Sequence, residues 1–160
     1  MFDSALLEQK LDKATFKAIE PQLREDLLNA QFELVEAARR GIIVLINGPD
    51  GAGKGAVANR LYEWLDARHL VTMTYDGMTD EERARPPAWR YWRDLPPRGT
   101  IGIVLGSWYH LALRARALGQ LDEAGFDHGL QVINRFEAML EGEGFLVLKL
   151  WLHLDARESE

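Results

Sequence analysis

The sequence contains no cysteine, which excludes a disulfide-stapled scaffold and metal sites built on thiolates. The same absence agrees with a reducing compartment, so we expect a cytoplasmic protein. No apolar run approaches the length of about 20 residues that a membrane helix needs, and the sequence predicts no membrane association. The first ten residues carry Asp3 and Glu8 in place of a basic-then-apolar leader, so we expect no export.

Positive charge is also scarce, because 19 lysines and arginines stand against 25 aspartates and glutamates and give a net charge of −6. An acidic chain gains no general attraction to polyanions, so the composition argues against a nucleic-acid partner. A site for any polyanion must therefore be a local basic patch. The length of 160 residues and the 47% hydrophobic content are those of one soluble globular domain.

Apolar patterning predicts strands that alternate with helices. Short apolar runs predict four strands, at 42–46, 70–75, 101–105 and 145–154. Helical patterns predict five helices, at 3–20, at 22–40 with Pro21 opening its first turn, from the glycine-rich turn through about residue 68, at 108–118 and at 124–141. The alternation predicts an α/β three-layer sandwich with a mostly parallel central sheet and helices on both faces.

A glycine-rich segment lies between the first predicted strand and the helix after it. It runs from Gly48 to Lys54 and has the pattern G-x-x-x-x-G-K. Glycines let backbone N–H groups turn toward phosphate oxygens, the helix N-terminus adds partial positive charge, and Lys54 adds a full charge. The pattern predicts a P-loop kinase-like core with a phosphate site, the alternative being a turn without a ligand. The predicted phosphate-binding residues of the loop are Gly48, Gly51, Ala52, Gly53, Lys54 and Gly55.

The residue after the loop lysine departs from the usual pattern. Gly55 stands where a serine or threonine hydroxyl commonly holds magnesium. Asp50, inside the loop, is the substitute that we predict as the Mg²⁺ ligand; the alternative is an aspartate that only forms the turn. Asp50 and Lys54 are therefore the predicted catalytic residues.

Five arginines form a basic stretch between residues 76 and 99 of this acidic chain, namely Arg83, Arg85, Arg90, Arg93 and Arg98. Guanidinium forks match phosphate oxygens, so we predict that Arg90 and Arg93 contact phosphate. The alternative is a set of solvated surface charges paired with neighbouring carboxylates. We expect Arg83 and Arg85 to be surface residues.

Several segments together resemble the second polyphosphate kinase family. The loop Gly-Pro-Asp-Gly-Ala-Gly-Lys-Gly has that family's internal aspartate and its glycine after the lysine. Residues 89–96 are similar to its W-R-x-W-R-x-L-P segment, and residues 107–109 to its S-W-Y segment. Residues 136–140 and 148–154 look like its late helix and last core strand. The resemblance spans about residues 25–155.

The resemblance implies phosphoryl transfer between inorganic polyphosphate and a nucleotide, AMP or ADP, with Mg²⁺ as cofactor. Within the family the chain looks most like the N-terminal domain of fused two-domain polyphosphate:AMP phosphotransferases. A second P-loop domain or another copy of the chain would then be its protein partner. We divide the chain into an N-terminal helical extension, residues 1–40, and a phosphotransferase core, residues 41–160, without the family's C-terminal lid. We accordingly expect a fragment or one half of a larger protein.

Three departures from the family pattern affect charge at the transferring phosphoryl group. Leu105 stands where the family has an acidic or amide residue, and Gly106 where it has an arginine. Only Arg157 follows the last predicted strand in place of the lid's basic residues. The losses predict poor turnover by this chain alone. The alternatives are a catalytically degenerate P-loop domain that binds phosphate or supports assembly of an active partner domain, and an ordinary ATP-dependent kinase.

Overall fold

The computed structural model describes residues 11–75 and 77–153, and within them strands alternate with helices. The strands are β1 (Gly41–Asn47), β2 (Leu70–Thr74), β3 (Ile101–Leu105) and β4 (Phe145–Trp151). The helices are α1 (Lys13–Ala37), α2 (Lys54–Trp64), α3 (Asp80–Arg83), α4 (Trp89–Arg93), α5 (Tyr109–Ala117) and α6 (Glu123–Gly142). None of the helices in this described part is long and apolar enough to cross a membrane.

The four strands form one parallel sheet in the order β2-β3-β1-β4. Val44 in β1 aligns with Ile103 on one side and with Leu148 on the other. The neighbours β1 and β3 are not consecutive in the chain, so the segments that follow them leave the same edge of the sheet side by side. In parallel α/β sheets this edge is where ligands bind.

The sheet is covered on both faces, as the alternation of its side chains requires. On one face Ile43, Leu45 and Val104 pack with Phe136 and Leu140 of α6. On the other face Val44, Ile46 and Ile103 pack with Ala58 of α2. The predicted three-layer α/β sandwich is therefore confirmed.

The predicted strands and the helices after β1 are confirmed, with ends that differ by a few residues. The N-terminal prediction is wrong, because α1 is one helix with Pro21 inside it and not two helices that meet there. Proline leaves the carbonyl of Lys17 without its helical partner, and since Lys17 is exposed, water can satisfy that carbonyl. Residues 3–10, Leu154 and Arg157, on which other predictions fall, lie outside the described residues.

The helix α1 is joined to the core by Gln31, whose side chain is buried. Its amide Nε2 donates to the carbonyl of Asp66 at 3.0 Å, and its Oε1 accepts from the N–H of Asp66 at 2.7 Å. A buried amide that satisfies both backbone groups of one residue fixes the helix against the segment that follows α2.

Candidate phosphate-binding site

The loop after β1 turns at three glycines with positive φ: Gly48 at 144°, Gly51 at 81° and Gly53 at 86°. A Cβ atom at Gly48 would approach the carbonyl oxygen of Leu152 to 2.4 Å, so both the dihedral angle and the close approach require glycine. A Cβ at Gly53 would meet nothing within 4 Å. The space in front of Gly53 is therefore open to a ligand.

The N-terminus of α2 faces this space without a side-chain cap. Its N-cap residue is Gly53, and the first helical bond runs from the N–H of Val57 to the carbonyl of Gly53 at 3.1 Å. The N–H groups of residues 54–56 precede that bond and have no partner within the helix. Such donors, together with the helix dipole, form a site for an anion.

The Lys54 ammonium lies over the loop. Its Nζ donates to the carbonyl oxygens of Gly48 at 2.9 Å and Pro49 at 2.7 Å, and lies 3.4 Å from Oδ1 of Asp50. These acceptors hold the ammonium where phosphate oxygens would replace them. The structure thus brings together the loop residues that the sequence predicted, while their role in phosphate binding stays a prediction.

An open cavity of about 810 Å³ lies between this loop and α5. Its lining residues are Ile46, Asn47, Gly48, Pro49, Asp50, Lys54, Gly106, His110, Leu113, Arg114, Ala117, Trp151 and His153. Among the described residues that line it, there are two permanent cations, Lys54 and Arg114, and one carboxylate, Asp50. The cavity is therefore a locally cationic site on an acidic chain, as binding of a polyanion requires.

The candidate magnesium ligand Asp50 has a fully exposed side chain at the mouth of the cavity. Among the described residues, no three His, Cys, Asp or Glu side chains form a group that could hold a metal ion. Mg²⁺ is commonly held by one or two carboxylates with substrate phosphates and water. The site thus fits magnesium only as an ion that arrives with phosphate, with Asp50 as a protein ligand.

The last residue of β3, Leu105, and the residue after it, Gly106, supply no charge to the cavity. Leu105 packs against the buried cluster of Ile46 and Ile103. Gly106 lines the cavity with a φ of 71°, and a Cβ there would lie 2.7 Å from the carbonyl oxygen of Tyr75. The backbone at Gly106 is therefore shaped for glycine and not for the arginine of the family pattern.

We expect Gly106→Arg to lower the free energy of unfolding by about 2 kcal/mol or more, because it combines a left-handed backbone angle with a backbone clash. Urea denaturation would measure the loss. Gly142→Arg is the matched control, because Gly142 is exposed and a Cβ there meets nothing within 4 Å. Equal stability of the two variants would contradict the assigned backbone geometry.

The two arginines predicted to contact phosphate lie beside carboxylates. Arg90 is buried, with its Nε 3.6 Å from Oε1 of Glu82, and its guanidinium lies 4.9 Å from the ring centre of Tyr75. Arg93 donates to both carboxylate oxygens of Asp94, at 2.7 and 2.9 Å. Neither arginine is among the residues that line the cavity. Their contact with phosphate stays a prediction, which requires them to exchange these partners.

Glu82 is buried at the centre of this arginine pair and closes the start of α3. Its Oε2 accepts from the N–H of Thr79 at 2.9 Å, and its own N–H donates to Oγ1 of Thr79 at 3.2 Å. The Thr79 hydrogen bond lowers the pKa of Glu82 most; burial opposes it, and the charges of Arg90 and Arg93 lower the pKa further. The pKa of Glu82 therefore lies below its usual value of 4.5.

Because the pKa of Glu82 is lower in the folded state than in the unfolded chain, ionised Glu82 stabilises the fold. This stabilisation is fully present above about pH 4.5 and is lost as the pH falls through the pKa that Glu82 has in the folded state. Glu82→Gln should therefore be less stable than the wild type in urea at pH 6, and the difference should shrink as the pH approaches 3. Glu81→Gln, at an exposed position beside Glu82, is the control. A difference between Glu82→Gln and the wild type that is constant from pH 6 to 3 would contradict the assignment.

A buried polar network behind the cavity escaped the sequence analysis. Glu137 of α6 accepts from Trp108 Nε1 at 3.1 Å and from the Tyr109 hydroxyl at 2.8 Å, and it pairs with Lys149 Nζ at 2.5 Å. Burial tends to lower the pKa of Lys149, but hydrogen bonds to Glu137 and Tyr109 raise it above its usual value. One sequence signal could have indicated this network: Glu137 lies four residues after Ile133, within the apolar stripe of α6, where a charged residue needs a buried partner.

A second link joins the ends of the two central strands. Ser107 Oγ donates to Oδ1 of Asn47 at 2.5 Å, and the N–H of Tyr109 lies 3.4 Å from the same Oγ. Asn47 is the last residue of β1, directly before the glycine-rich loop. The S-W-Y segment therefore sets the position of the loop through Ser107 and is held from behind by Glu137.

A parallel sheet, a glycine-rich loop after its central strand and a lysine over that loop define a P-loop kinase-like domain. A match to the family described as Polyphosphate kinase 2 spans residues 10–160. The chain belongs to this family.

Relatives and solved structures agree with this membership. The chain is 48% identical, over its full length, to a polyphosphate:AMP phosphotransferase of Pseudomonas syringae pv. tomato and covers 32% of that protein. It superposes with a TM-score of 0.93 and 46% identity on a candidate polyphosphate kinase 2 from Pseudomonas aeruginosa PA01, covering 99% of this chain and 34% of that one. It also superposes with a TM-score of 0.86 and 25% identity on polyphosphate kinase 2 from Arthrobacter aurescens TC1, covering 93% of this chain and 54% of that one. The chain therefore spans about a third of the length of the two Pseudomonas proteins.

Proposed function

We propose that this chain is a domain of a polyphosphate-dependent nucleotide phosphotransferase, which moves a phosphoryl group between inorganic polyphosphate and AMP or ADP. The observation that carries the proposal is the Lys54 ammonium, held over a glycine-rich loop at a cationic cavity. The 48% identity to a polyphosphate:AMP phosphotransferase supports polyphosphate as donor and AMP as acceptor. We further propose a cytoplasmic location, and a core of residues 41–160 behind a helical extension of residues 1–40.

The proposed reaction is in-line displacement at the terminal phosphorus of polyphosphate. An oxygen of the nucleotide phosphate forms a bond to that phosphorus while the phosphoanhydride bond breaks, and the shortened polyphosphate leaves with the bridging oxygen. Lys54 and the N–H groups of the α2 N-terminus hold the oxygens that carry charge. A bound magnesium ion, with Asp50 as a protein ligand, would neutralise further charge on these oxygens. Positioning and charge neutralisation supply the catalysis, and no side chain needs to transfer a proton.

A second candidate is a degenerate domain that binds phosphate or supports an active partner domain. The observation that favours it is the end of β3. Leu105 brings no carboxylate there, and any side chain at Gly106 would clash with the carbonyl oxygen of Tyr75. In this candidate the chain is one half of a fused protein, whose second P-loop domain carries the chemistry. A homo-oligomer would be the corresponding arrangement of single domains.

A donor-comparison assay tests the first candidate. The purified chain is incubated with Mg²⁺ and AMP or ADP, and with long-chain polyphosphate or ATP as donor, and the nucleotides formed are separated and counted. Transfer from polyphosphate supports the phosphotransferase. Transfer from ATP alone would overturn the polyphosphate assignment. Binding of polyphosphate without transfer would favour the degenerate domain.

A further inference from the structure

The helix α5 presents one face to the glycine-rich loop. His110, Leu113, Arg114 and Ala117 follow one another at the i, i+3, i+4 and i+7 spacing of a single helical face, and all four line the cavity. Leu111 and Ala112, on the other side of the helix, line a separate apolar pocket against α6. The rotation of α5 thus directs Arg114 to the same space as Lys54.

Arg114 differs from the arginines of the basic stretch. Arg83 and Arg85 pair with exposed carboxylates, and Arg90 and Arg93 lie against Glu82 and Asp94. Within residues 11–75 and 77–153, no hydrogen bond or ion pair of the Arg114 side chain is found. Its guanidinium is exposed and faces the anion site, and no carboxylate of the described residues pairs with it, so it is available for a ligand.

We propose that Arg114 is a second phosphate-binding residue of this site and binds the polyphosphate chain across the cavity from Lys54. The inference rests on the proposed function, because it takes polyphosphate as the ligand. Gly106 lines the same cavity and stands where the family pattern has an arginine. Arg114 therefore supplies positive charge to a cavity that lacks the arginine expected after β3. Because both cations line one cavity, a linear polyphosphate chain that lies across the cavity can contact both at once.

Calorimetric titration with tripolyphosphate tests this role without any need for turnover. We expect Arg114→Ala to raise the dissociation constant by about 10-fold, because it removes charge-assisted hydrogen bonds. Arg114→Lys, which keeps the charge and loses the planar fork, should bind with intermediate affinity. The loss should be smaller at high salt, since screening weakens exposed charge pairs.

The matched control is Arg135→Ala, which removes an exposed arginine from α6 outside the cavity and should bind like the wild type. Wild-type affinity in Arg114→Ala, together with a clear loss in Lys54→Ala, would overturn the role of Arg114 and leave the proposed function standing. No binding by the folded wild type would overturn both. An equal loss in Arg135→Ala would show general charge attraction and would also overturn the proposal.

Discussion

Replacing Lys54 with alanine should reduce phosphoryl transfer from polyphosphate by about 100-fold or more. The expected size follows from the position of the ammonium, which lies within 2.9 Å of two loop carbonyls and faces the cavity. No other lysine lines that cavity, as far as the described residues go. Charge that develops on the transferring group would therefore lose its nearest full counter-charge. Initial rates of nucleotide formation, at saturating polyphosphate, would give the ratio.

Lys17→Ala provides the control for the Lys54 substitution. Lys17 is exposed on α1 and is not among the residues that line the cavity, so its loss should leave the rate unchanged. Circular dichroism would verify that Lys54→Ala keeps its secondary structure. A rate for Lys54→Ala within threefold of the wild type would show that the loop does not hold the transferred phosphate.

Replacing Phe136 with alanine should lower the free energy of unfolding by about 3–5 kcal/mol. Phe136 is 2% exposed, and its ring centre lies 5.0 Å from that of Trp108 and 5.4 Å from that of Trp92. The ring thus joins α6 to both the S-W-Y segment and α4, and its removal leaves a hole between three elements. Urea denaturation followed by tryptophan fluorescence would measure the loss.

Phe32→Ala is the comparison for Phe136, since Phe32 is 48% exposed on α1. Its loss should change stability by about 0.5 kcal/mol or less, as for other surface positions. A loss below about 1.5 kcal/mol in Phe136→Ala would mean that the aromatic cluster repacks around the gap, contrary to the tight packing described above.

Local patterns were sufficient for the sheet and the loop. The run from Ile42 to Ile46 and the glycines after it carry their own signals, namely a fully apolar strand and a turn that needs positive φ. Such signals depend on neighbours in sequence, so they survive without knowledge of the fold. These local signals did not predict that α1 continues through Pro21. The helix can continue because the carbonyl of Lys17, which loses its hydrogen bond to residue 21, is exposed to water, and a sequence pattern does not show that exposure.

The remaining features of the site depend on contacts between distant residues. The pairing of Glu137 with Lys149 joins α6 to β4, and nothing local to Lys149 indicates it. The sequence shows that Arg90 lies in a basic stretch, but burial against Glu82 is decided by the packing of α3 and α4. Arg114 was missed because the apolar residues of α5 fall on more than one side, and Leu111 and Leu113 are both partly exposed.

The central claim is that the glycine-rich loop of this chain holds a polyphosphate whose terminal phosphoryl group passes to a nucleotide. Phosphorus NMR of the purified chain with Mg²⁺, polyphosphate and AMP follows donor and product in one sample. We expect the AMP signal to be replaced by the two signals of ADP, with the loss of one polyphosphate phosphorus for each ADP formed, and we expect Lys54→Ala to slow the transfer by about 100-fold or more. ADP formation at the same rate in Lys54→Ala, or an unchanged spectrum without any binding of polyphosphate, would contradict it.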